Sequence, residues 1–198
     1  MKMKVIVVKT IEDLERIKGL KSDKVVIILN NDLDLKDIKN FESINMSDTS
    51  VVIYGRGHTI KNLSISGEDT VGMFSELKDL YVRDTIFDSV NVNGICEVGV
   101  LSGHVSGKLD VKGSLFHGKI TGESFVGSLC GTAETINIEN TDLFTEVKGE
   151  ELTGSVVGLA RNYKSKRIGN FTTLNVTTHY GEKEYGVVTG RILKKQWL

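Results

Sequence analysis

A glycine-centred segment recurs five times along this chain of 198 residues. Successive central glycines are separated by 27, 28, 27 and 32 positions, and each has another glycine five residues earlier. Four of the five copies also have a glycine four residues later. Such a fixed register is the sequence signature of a repeat architecture. The central glycines are Gly72, Gly99, Gly127, Gly154 and Gly186.

Apolar residues follow the same period as the glycines. Pairs of apolar residues separated by one position recur in four copies, and this alternation between glycine-bearing corners predicts short strands, about three per repeat. One repeat cannot bury its apolar face alone, but stacking at about 4.8 Å would place equivalent residues above one another in a continuous core. The pairs are Leu80/Val82, Leu109/Val111, Ile136/Ile138 and Leu174/Val176.

The chain contains 21 glycines and no proline. Proline removes a backbone donor, so its absence fits long parallel ladders in which nearly every N–H must pair. Glycines at the corners are expected to supply positive φ and a close turn of the backbone. The sequence therefore predicts an all-β fold, a parallel β-helix (β-solenoid) with about 27 residues per rung. An antiparallel β-sandwich is the alternative, but it does not require a fixed register.

The N-terminal residues predict a cap for the end of the coil. Thr10 and Asp13 form a capping-box pattern, and apolar residues at helical spacing follow, which predicts a short α-helix over 10–19. The helix is expected to cover the apolar end of the first rung.

The whole chain, 1–198, is expected to be one domain. The cap and first strands would occupy 1–49, the repeat rungs 50–190 and a C-terminal tail 191–198. The longer fourth interval is expected to carry an insertion at 161–170 that protrudes as a loop.

Three segments carry a further signal: NDLDL at 31–35, GRGHTIKNL at 55–63 and VGMF at 71–74. Together they resemble the opening of right-handed parallel β-helix proteins with GLUG-type repeats. The resemblance extends over about 11–190 and implies a right-handed coil. Related β-helices occur in bacterial surface adhesins, polysaccharide-active enzymes and phage proteins, so the resemblance specifies fold more closely than function.

Composition narrows the functional classes. The formal net charge of −1 argues against a dedicated nucleic-acid binder, which is usually strongly basic. The N-terminus lacks the apolar run of a signal peptide, and no segment approaches the ~20 apolar residues of a membrane span. Two cysteines are too few for a disulfide scaffold. We therefore expect a cytoplasmic protein with reduced thiols and no membrane partner.

Candidate catalytic and metal-binding residues do not form a motif. The four histidines show no ligand spacing with one another or with the cysteines, so no metal site and no cofactor are predicted. Cys130 occupies a small-residue position of the repeat and has no activating histidine in register. Asp84, Asp88 and Asp110 are the nearest candidates for a carboxylate pair, but their spacing assigns neither an acid nor a base.

Acidic residues recur after the first corner glycine of most repeats. Stacking would place these carboxylates along one edge, which is either a solvated edge or an acidic face that docks on a basic protein or binds cations. Where the second copy has Ile95, the nearest carboxylate comes two residues later. The predicted acidic edge consists of Glu68, Glu97, Glu123, Glu150 and Glu182.

Basic residues cluster in the predicted insertion and in the tail. They are either a solvated loop and tail or a second partner-binding surface, through which direct nucleic-acid contact is conceivable but not favoured. The cluster consists of Arg161, Lys164, Lys166, Arg167, Lys194 and Lys195.

The first functional hypothesis is a non-catalytic interaction protein that binds a host protein through a charged face. Its expected setting is a phage or mobile-element inhibitor of a host enzyme, such as a nucleic-acid-handling defence complex. The alternatives are a carbohydrate-binding or adhesin-type module and, less favoured, a polysaccharide-active enzyme. A homodimer formed by end or face stacking is a further expectation.

Overall fold

The protein is described here from a computed structural model, which places the backbone of residues 2–171, 185–186 and 189–192. The chain is a parallel β-solenoid of about five turns, and every ladder pair that the structure describes is parallel. This confirms the predicted fold class and excludes the antiparallel sandwich.

The first face of the solenoid is the longest stack of strands. Each strand pairs with the equivalent strand of the next turn, in the order β1, β2, β4, β8, β11, β14, β16 and β18. The strands are β1 (Met3–Val8), β2 (Lys24–Leu29), β4 (Ile44–Tyr54), β8 (Phe74–Arg83), β11 (Ser102–Lys112), β14 (Cys130–Lys148), β16 (Val157–Phe171) and β18 (Thr189–Ile192).

The second face follows the first around a corner of the coil. β14 extends through this corner and contributes to both faces. Its first half pairs with β11 and its second half with β12, and Asn140 takes a positive φ of 47° between the two halves. The second-face strands are β3 (Leu33–Asp34), β5 (Thr59–Lys61), β6 (Ser64–Ser66), β9 (Ile86–Asn93) and β12 (Leu115–Thr121).

The third face is a separate sheet of short strands. Its register offsets are 27, 28, 27 and 32 residues, which reproduce the spacing of the central glycines. The strands are β7 (Asp69–Val71), β10 (Cys96–Val98), β13 (Ser124–Gly127), β15 (Glu151–Gly154) and β17 (Tyr185–Gly186).

The core runs along the inside of the coil as ladders of identical or similar side chains. Leu80, Leu109 and Ile136 lie in register on neighbouring strands and are fully buried. The rings of Phe87 and Phe116 stack with centroids 5.0 Å apart and planes 7° apart. Stacking of equivalent apolar residues therefore supplies the continuous core that one turn could not form alone.

The repeat glycines are needed for close approach of neighbouring turns rather than for positive φ. A Cβ on Gly99 would meet the backbone of Cys130 in the next turn, and one on Gly131 would meet the backbone of Glu97 in the preceding turn. Neither of these glycines has a positive φ. The expectation of positive φ at the repeat glycines is thus wrong.

Non-glycine residues take the left-handed conformation within the short strands of the third face instead. The stacked residues Thr70, Glu97, Phe125 and Leu152 have φ values of 49°, 49°, 54° and 46°. This conformation is uncommon for side chains of this size, and the tight contact with the neighbouring turn holds it in place. The pattern determines where the Glu97 and Phe125 side chains lie.

The N-terminal helix α1 is shorter than predicted and spans Ile11–Glu15. Thr10 is its N-cap, and the predicted capping box with Asp13 is present. Leu14 within the helix and Ile17 just beyond it are fully buried in the core cluster. The segment therefore closes the apolar core at this end of the coil.

The prediction of a loop at 161–170 is wrong. These residues belong to β16, whose register with β14 stays at 27 or 28 residues as far as Phe171. The extra residues of the fourth interval must therefore follow Phe171, and they lie outside the described residues. In the tail, Arg191 and Ile192 belong to β18, and 193–198 is also outside them.

Candidate functional site

Three of the predicted acidic residues stack at the corner that leads into the third face. Glu68, Glu123 and Glu150 share one ladder of backbone hydrogen bonds, in which Ile95 takes the place of the second carboxylate. Glu68 and Glu123 are exposed, and Glu150 is partly exposed. Within the described part of the chain none of the three carboxylates has an ion-pair partner.

Glu97 does not join this row, which corrects the predicted edge. It lies two residues beyond Ile95 at the left-handed position, and its side chain is only 24% exposed. Glu182 lies outside the described residues, so its place in the row stays a prediction. We use the name acidic row for Glu68, Glu123 and Glu150.

The predicted basic cluster is only partly visible. The Arg161 guanidinium forms an ion pair with Glu134, with Nε and Oε2 3.3 Å apart. Lys164, Lys166 and Arg167 have strand backbone within β16, but their side chains are not described, and Lys194 and Lys195 lie outside the described residues.

A groove of about 320 Å³ lies at the junction between the third and first faces. Three consecutive turns contribute to it, because β11, β14 and β16 start there in register. Its apolar lining consists of Val105, Phe125, Ala133 and Leu159. Its polar lining consists of Glu97, His104, Ser106, Thr132, Glu134 and Arg161.

A chain of hydrogen bonds forms one wall of this groove. Thr132 Oγ1 donates to Glu97 Oε1 at 2.6 Å, and His104 Nδ1 lies 2.6 Å from the same hydroxyl oxygen. The hydroxyl has a single proton, so His104 must donate from Nδ1 to Thr132. His104 Nδ1 also lies 3.3 Å from Glu97 Oε1. We call these three residues the Glu97 network.

The network shifts the acid–base properties of its members. The hydrogen bond to Glu97 raises the pKa of His104 above its ordinary value, against the opposing effect of partial burial. Burial alone would raise the pKa of Glu97, but the hydrogen bonds from His104 and Thr132 outweigh it and lower that pKa. Each group therefore favours the charged form of the other.

The Thr132 hydroxyl is held between two groups of the Glu97 network. It donates its proton to Glu97 and accepts a hydrogen bond from His104, so the position of its oxygen is fixed from both sides. The Cys130 thiol is fully buried, which raises its pKa, and burial also raises the pKa of Cys96. The wall can hold polar or charged groups of a ligand in fixed positions.

The carboxylates considered for polysaccharide chemistry lie on different parts of the coil. Asp110 faces outward from β11 on the first face, Asp88 lies in β9 on the second face, and Asp84 lies at the corner between β8 and β9. Asp110 is 6% exposed and engages Arg83 and Lys108. Among the described residues no group of three or more His, Cys, Asp or Glu could hold a metal ion.

Sequence reasoning missed His104 and Thr132 as members of a site. The two residues lie 28 positions apart in register on β11 and β14, so the repeat spacing could have paired them. The left-handed backbone at Glu97, which turns its carboxylate toward them, has no signal in the sequence.

None of the helices that the structure describes is long and apolar enough to cross a membrane.

The fold and the groove define a parallel β-solenoid with a lateral groove. Over 83 residues the chain is 42% identical to halomucin from Haloquadratum walsbyi, a match that covers 40% of this chain and 1% of halomucin. It is also similar to the crystal structure of a candidate immunoglobulin A1 protease from Bacteroides ovatus, with a TM-score of 0.53 and 15% identity.

The structural match covers 92% of this chain and 81% of the Bacteroides chain, and at that identity it shows a shared fold alone. No protein-family model matches the sequence. The comparisons do not identify GLUG-type repeats, so that resemblance stays a prediction while the β-helix fold is confirmed.

Proposed function

We propose that this chain is a non-catalytic recognition module that binds a segment of a partner protein in the groove beside the third face. The observation that carries the proposal is the groove itself, with an apolar lining from three turns and charged groups at its rim. Sites that bind ligands commonly combine an apolar floor with a few fixed polar groups.

The rigidity of the groove supports recognition. Glu97 is held by two partners, Glu134 is paired with Arg161, and the floor residues belong to strands hydrogen-bonded on both sides. A preformed surface loses little conformational entropy on binding, which favours affinity.

The acidic row lies beside the groove, across the short strands of the third face. Only one residue separates Ile95, in the row position, from Glu97 in the groove wall. A partner that covers this face would meet both surfaces, and the free carboxylates would steer basic groups toward it.

The finer hypothesis of a phage or mobile-element inhibitor of a host complex stays a prediction, and neither comparison supports it. The partner class proposed here is a protein with a basic surface, without a commitment to its source.

A carbohydrate ligand is the second candidate. Phe125 presents an aromatic ring at the groove, and carboxylates such as Glu97 and Glu134 lie around it, an arrangement that also suits one sugar unit. The local match to halomucin, which is a mucin by name, is compatible with a module of a surface protein.

Photo-crosslinking from the groove tests the proposal. Benzoylphenylalanine in place of Phe125 should form a covalent adduct with a protein from the native source, and Ser106→Trp, which fills the groove from its exposed rim, should abolish the adduct. The same crosslinker in place of Phe144 on the second face is the matched control.

The outcomes separate the candidates. A protein adduct that forms only when the groove is open supports the proposal. A glycan adduct that also requires an open groove supports the second candidate instead. An adduct that persists in the Ser106→Trp variant, or one formed equally from position 144, contradicts both.

A further inference from the structure

The first strand of the solenoid has one open edge. β1 pairs in parallel with β2 over its whole length, from Met3 to Val8, and it is the terminal strand of its sheet. Its other edge has no partner strand among the described residues. Unpaired N–H and C=O groups on such an edge are a template for a further strand.

The outward side chains of β1 are unusually exposed for their type. Met3, Val5 and Val7 are 57%, 54% and 47% exposed, and they account for three of the five large apolar side chains that are exposed in the described chain. Their inward neighbours Ile6 and Val8 pack on the core. Apolar residues therefore run without interruption from Val5 to Val8, as in a strand with both faces covered, although only one face is covered here.

The outer surface next to β1 is apolar too, in contrast to the rest of the same face. Val5, Val26 and Val52 lie in one row across neighbouring strands, and the row then continues with Tyr81 and Asp110. Beyond it lies a charged network on Asp110. Along this row, apolar outer residues are thus confined to the strands nearest the open edge.

These residues are not an incomplete core. The segment after β1 already closes the core, because Leu14 and Ile17 are fully buried. The exposed side chains of β1 point away from that core, so the N-terminal cap leaves them uncovered.

The positive charges near the open edge of β1 disfavour a second copy of this chain as the added strand. Lys2 and Lys4 stand at the start of β1 and Lys9 follows its end, and all three are exposed. A second copy pairing through its own β1 would bring lysines against lysines in a parallel register and near lysines in an antiparallel one. Like charges directly opposite one another destabilise strand pairs.

We propose that the open edge of β1 accepts an extended segment of a partner protein in which apolar residues alternate and acidic residues flank them. Main-chain hydrogen bonds would supply affinity, and the alternate contacts with Met3, Val5 and Val7 would supply specificity, as in other cases of strand addition. This surface is distinct from the groove of the third face, and the inference does not depend on the proposed function.

Two peptides test the occupant. The first has the sequence of residues 1–9 with all three lysines replaced by glutamate, and the second retains the lysines. Both are labelled and titrated with the full-length protein by fluorescence anisotropy. Hydrogen exchange is measured in parallel on the amides of β1. The acidic peptide should bind and protect those amides from exchange, and its affinity should fall as salt is added.

Variants locate the contact. Val5→Glu removes an apolar contact and places a like charge opposite the acidic peptide, so it should weaken binding of that peptide by about tenfold. Ile95→Glu is the matched control, since Ile95 is 45% exposed at a distant corner, and it should leave binding unchanged. Lys4→Glu combined with Lys9→Glu should reverse the preference between the two peptides.

Each result decides the inference. Selective binding of the acidic peptide, with protection of β1 and loss of binding in Val5→Glu, supports it. Equal binding of both peptides would instead indicate self-pairing of β1 and overturn the proposed occupant. Absence of binding by either peptide, or protection elsewhere in the chain, overturns the docking site itself.

Discussion

The hydroxyl of Thr132 donates a 2.6 Å hydrogen bond to the carboxylate of Glu97, although the two residues lie 35 positions apart in the chain. The stacking of turns brings them together, and the left-handed backbone at Glu97 aims its side chain at the next turn. The polar wall of the groove therefore depends on the charge of one half-buried carboxylate.

Replacing that carboxylate should change the titration of His104. Glu97→Gln replaces the carboxylate, whose hydrogen bond and charge raise the pKa of His104, with a neutral amide, so this pKa should fall toward its ordinary value. Nuclear magnetic resonance titration of the His104 ring protons measures the change. Glu139→Gln, which removes a carboxylate paired with Lys112 elsewhere on the coil, should leave the His104 titration unchanged. An unaltered His104 pKa in Glu97→Gln would contradict the assigned network.

The interaction between Glu97 and His104 should stabilise the fold most within a limited pH range. The lowered pKa of Glu97 stabilises the fold above the unfolded-state pKa, and this contribution is lost as the pH falls through the folded-state value. The raised pKa of His104 stabilises the fold below its unfolded-state pKa, and this contribution is lost as the pH rises through the folded-state value.

Wild type should therefore exceed Glu97→Gln in unfolding free energy by the largest margin between about pH 4.5 and 6.5. Urea denaturation of both proteins across that range, with points at more acidic and more alkaline pH, measures the margin. A margin that does not vary with pH would refute the ionic character of the pair.

Much of the fold could be predicted because the spacing of the repeats equals the number of residues in one turn of the coil. The interval between Gly99 and Gly127 equals the register offset between Cys96 and Ser124, since one turn of the coil must be filled before the next strand pairs. The extent of β16 could not be predicted in the same way. The longer fourth interval of the repeat suggested a loop at 161–170, but pairing with β14 determines the conformation of this segment.

The site was harder to predict because it depends on backbone conformation at single residues. The stacked positions of Glu68 and Glu123 follow from the repeat alone. Glu97 stands two residues beyond the equivalent position, and its positive φ turns it into the groove. A left-handed residue that is not glycine has no compositional signal, because the neighbouring turn imposes it.

Gly131→Ala should destabilise the fold strongly. The added Cβ would collide with the backbone of Glu97 and Val98 in the preceding turn, and backbone within a ladder cannot shift without breaking hydrogen bonds. A loss of about 3 kcal/mol in unfolding free energy is expected from overpacking. Urea denaturation monitored by circular dichroism measures the loss.

Gly57→Ala is the control for that substitution. Gly57 has a φ of 84° but no atom within 4 Å of an added Cβ, so only backbone strain of about 1 kcal/mol is expected. Comparable losses in the two variants would show that close approach of the turns is not what requires glycine at 131.

Asp110→Asn should cost more stability than removal of an exposed carboxylate. The Asp110 side chain is 9% exposed; its Oδ1 lies 2.8 Å from Arg83 Nη2, and its Oδ2 accepts a hydrogen bond from Asn137 at 3.0 Å. Burial alone would raise the pKa of Asp110, but hydrogen bonds from Lys108 and Asn137 and the nearby cations lower it. The amide would leave Arg83 and Lys108 without their shared counter-charge, so a loss of about 2 kcal/mol is expected.

Asp88→Asn is the matched comparison, because the Asp88 side chain is 33% exposed and its two partners, His117 Nδ1 at 2.7 Å and Lys61 Nζ at 3.9 Å, are also on the solvated surface. Its loss should stay below about 1 kcal/mol, as is usual for solvated pairs. The lowered pKa of Asp110 also means that its contribution is present above the unfolded-state pKa and disappears as the pH falls through the folded-state value. The difference between wild type and Asp110→Asn should therefore shrink in acid, and a difference that grows in acid would contradict the assigned ion pairs.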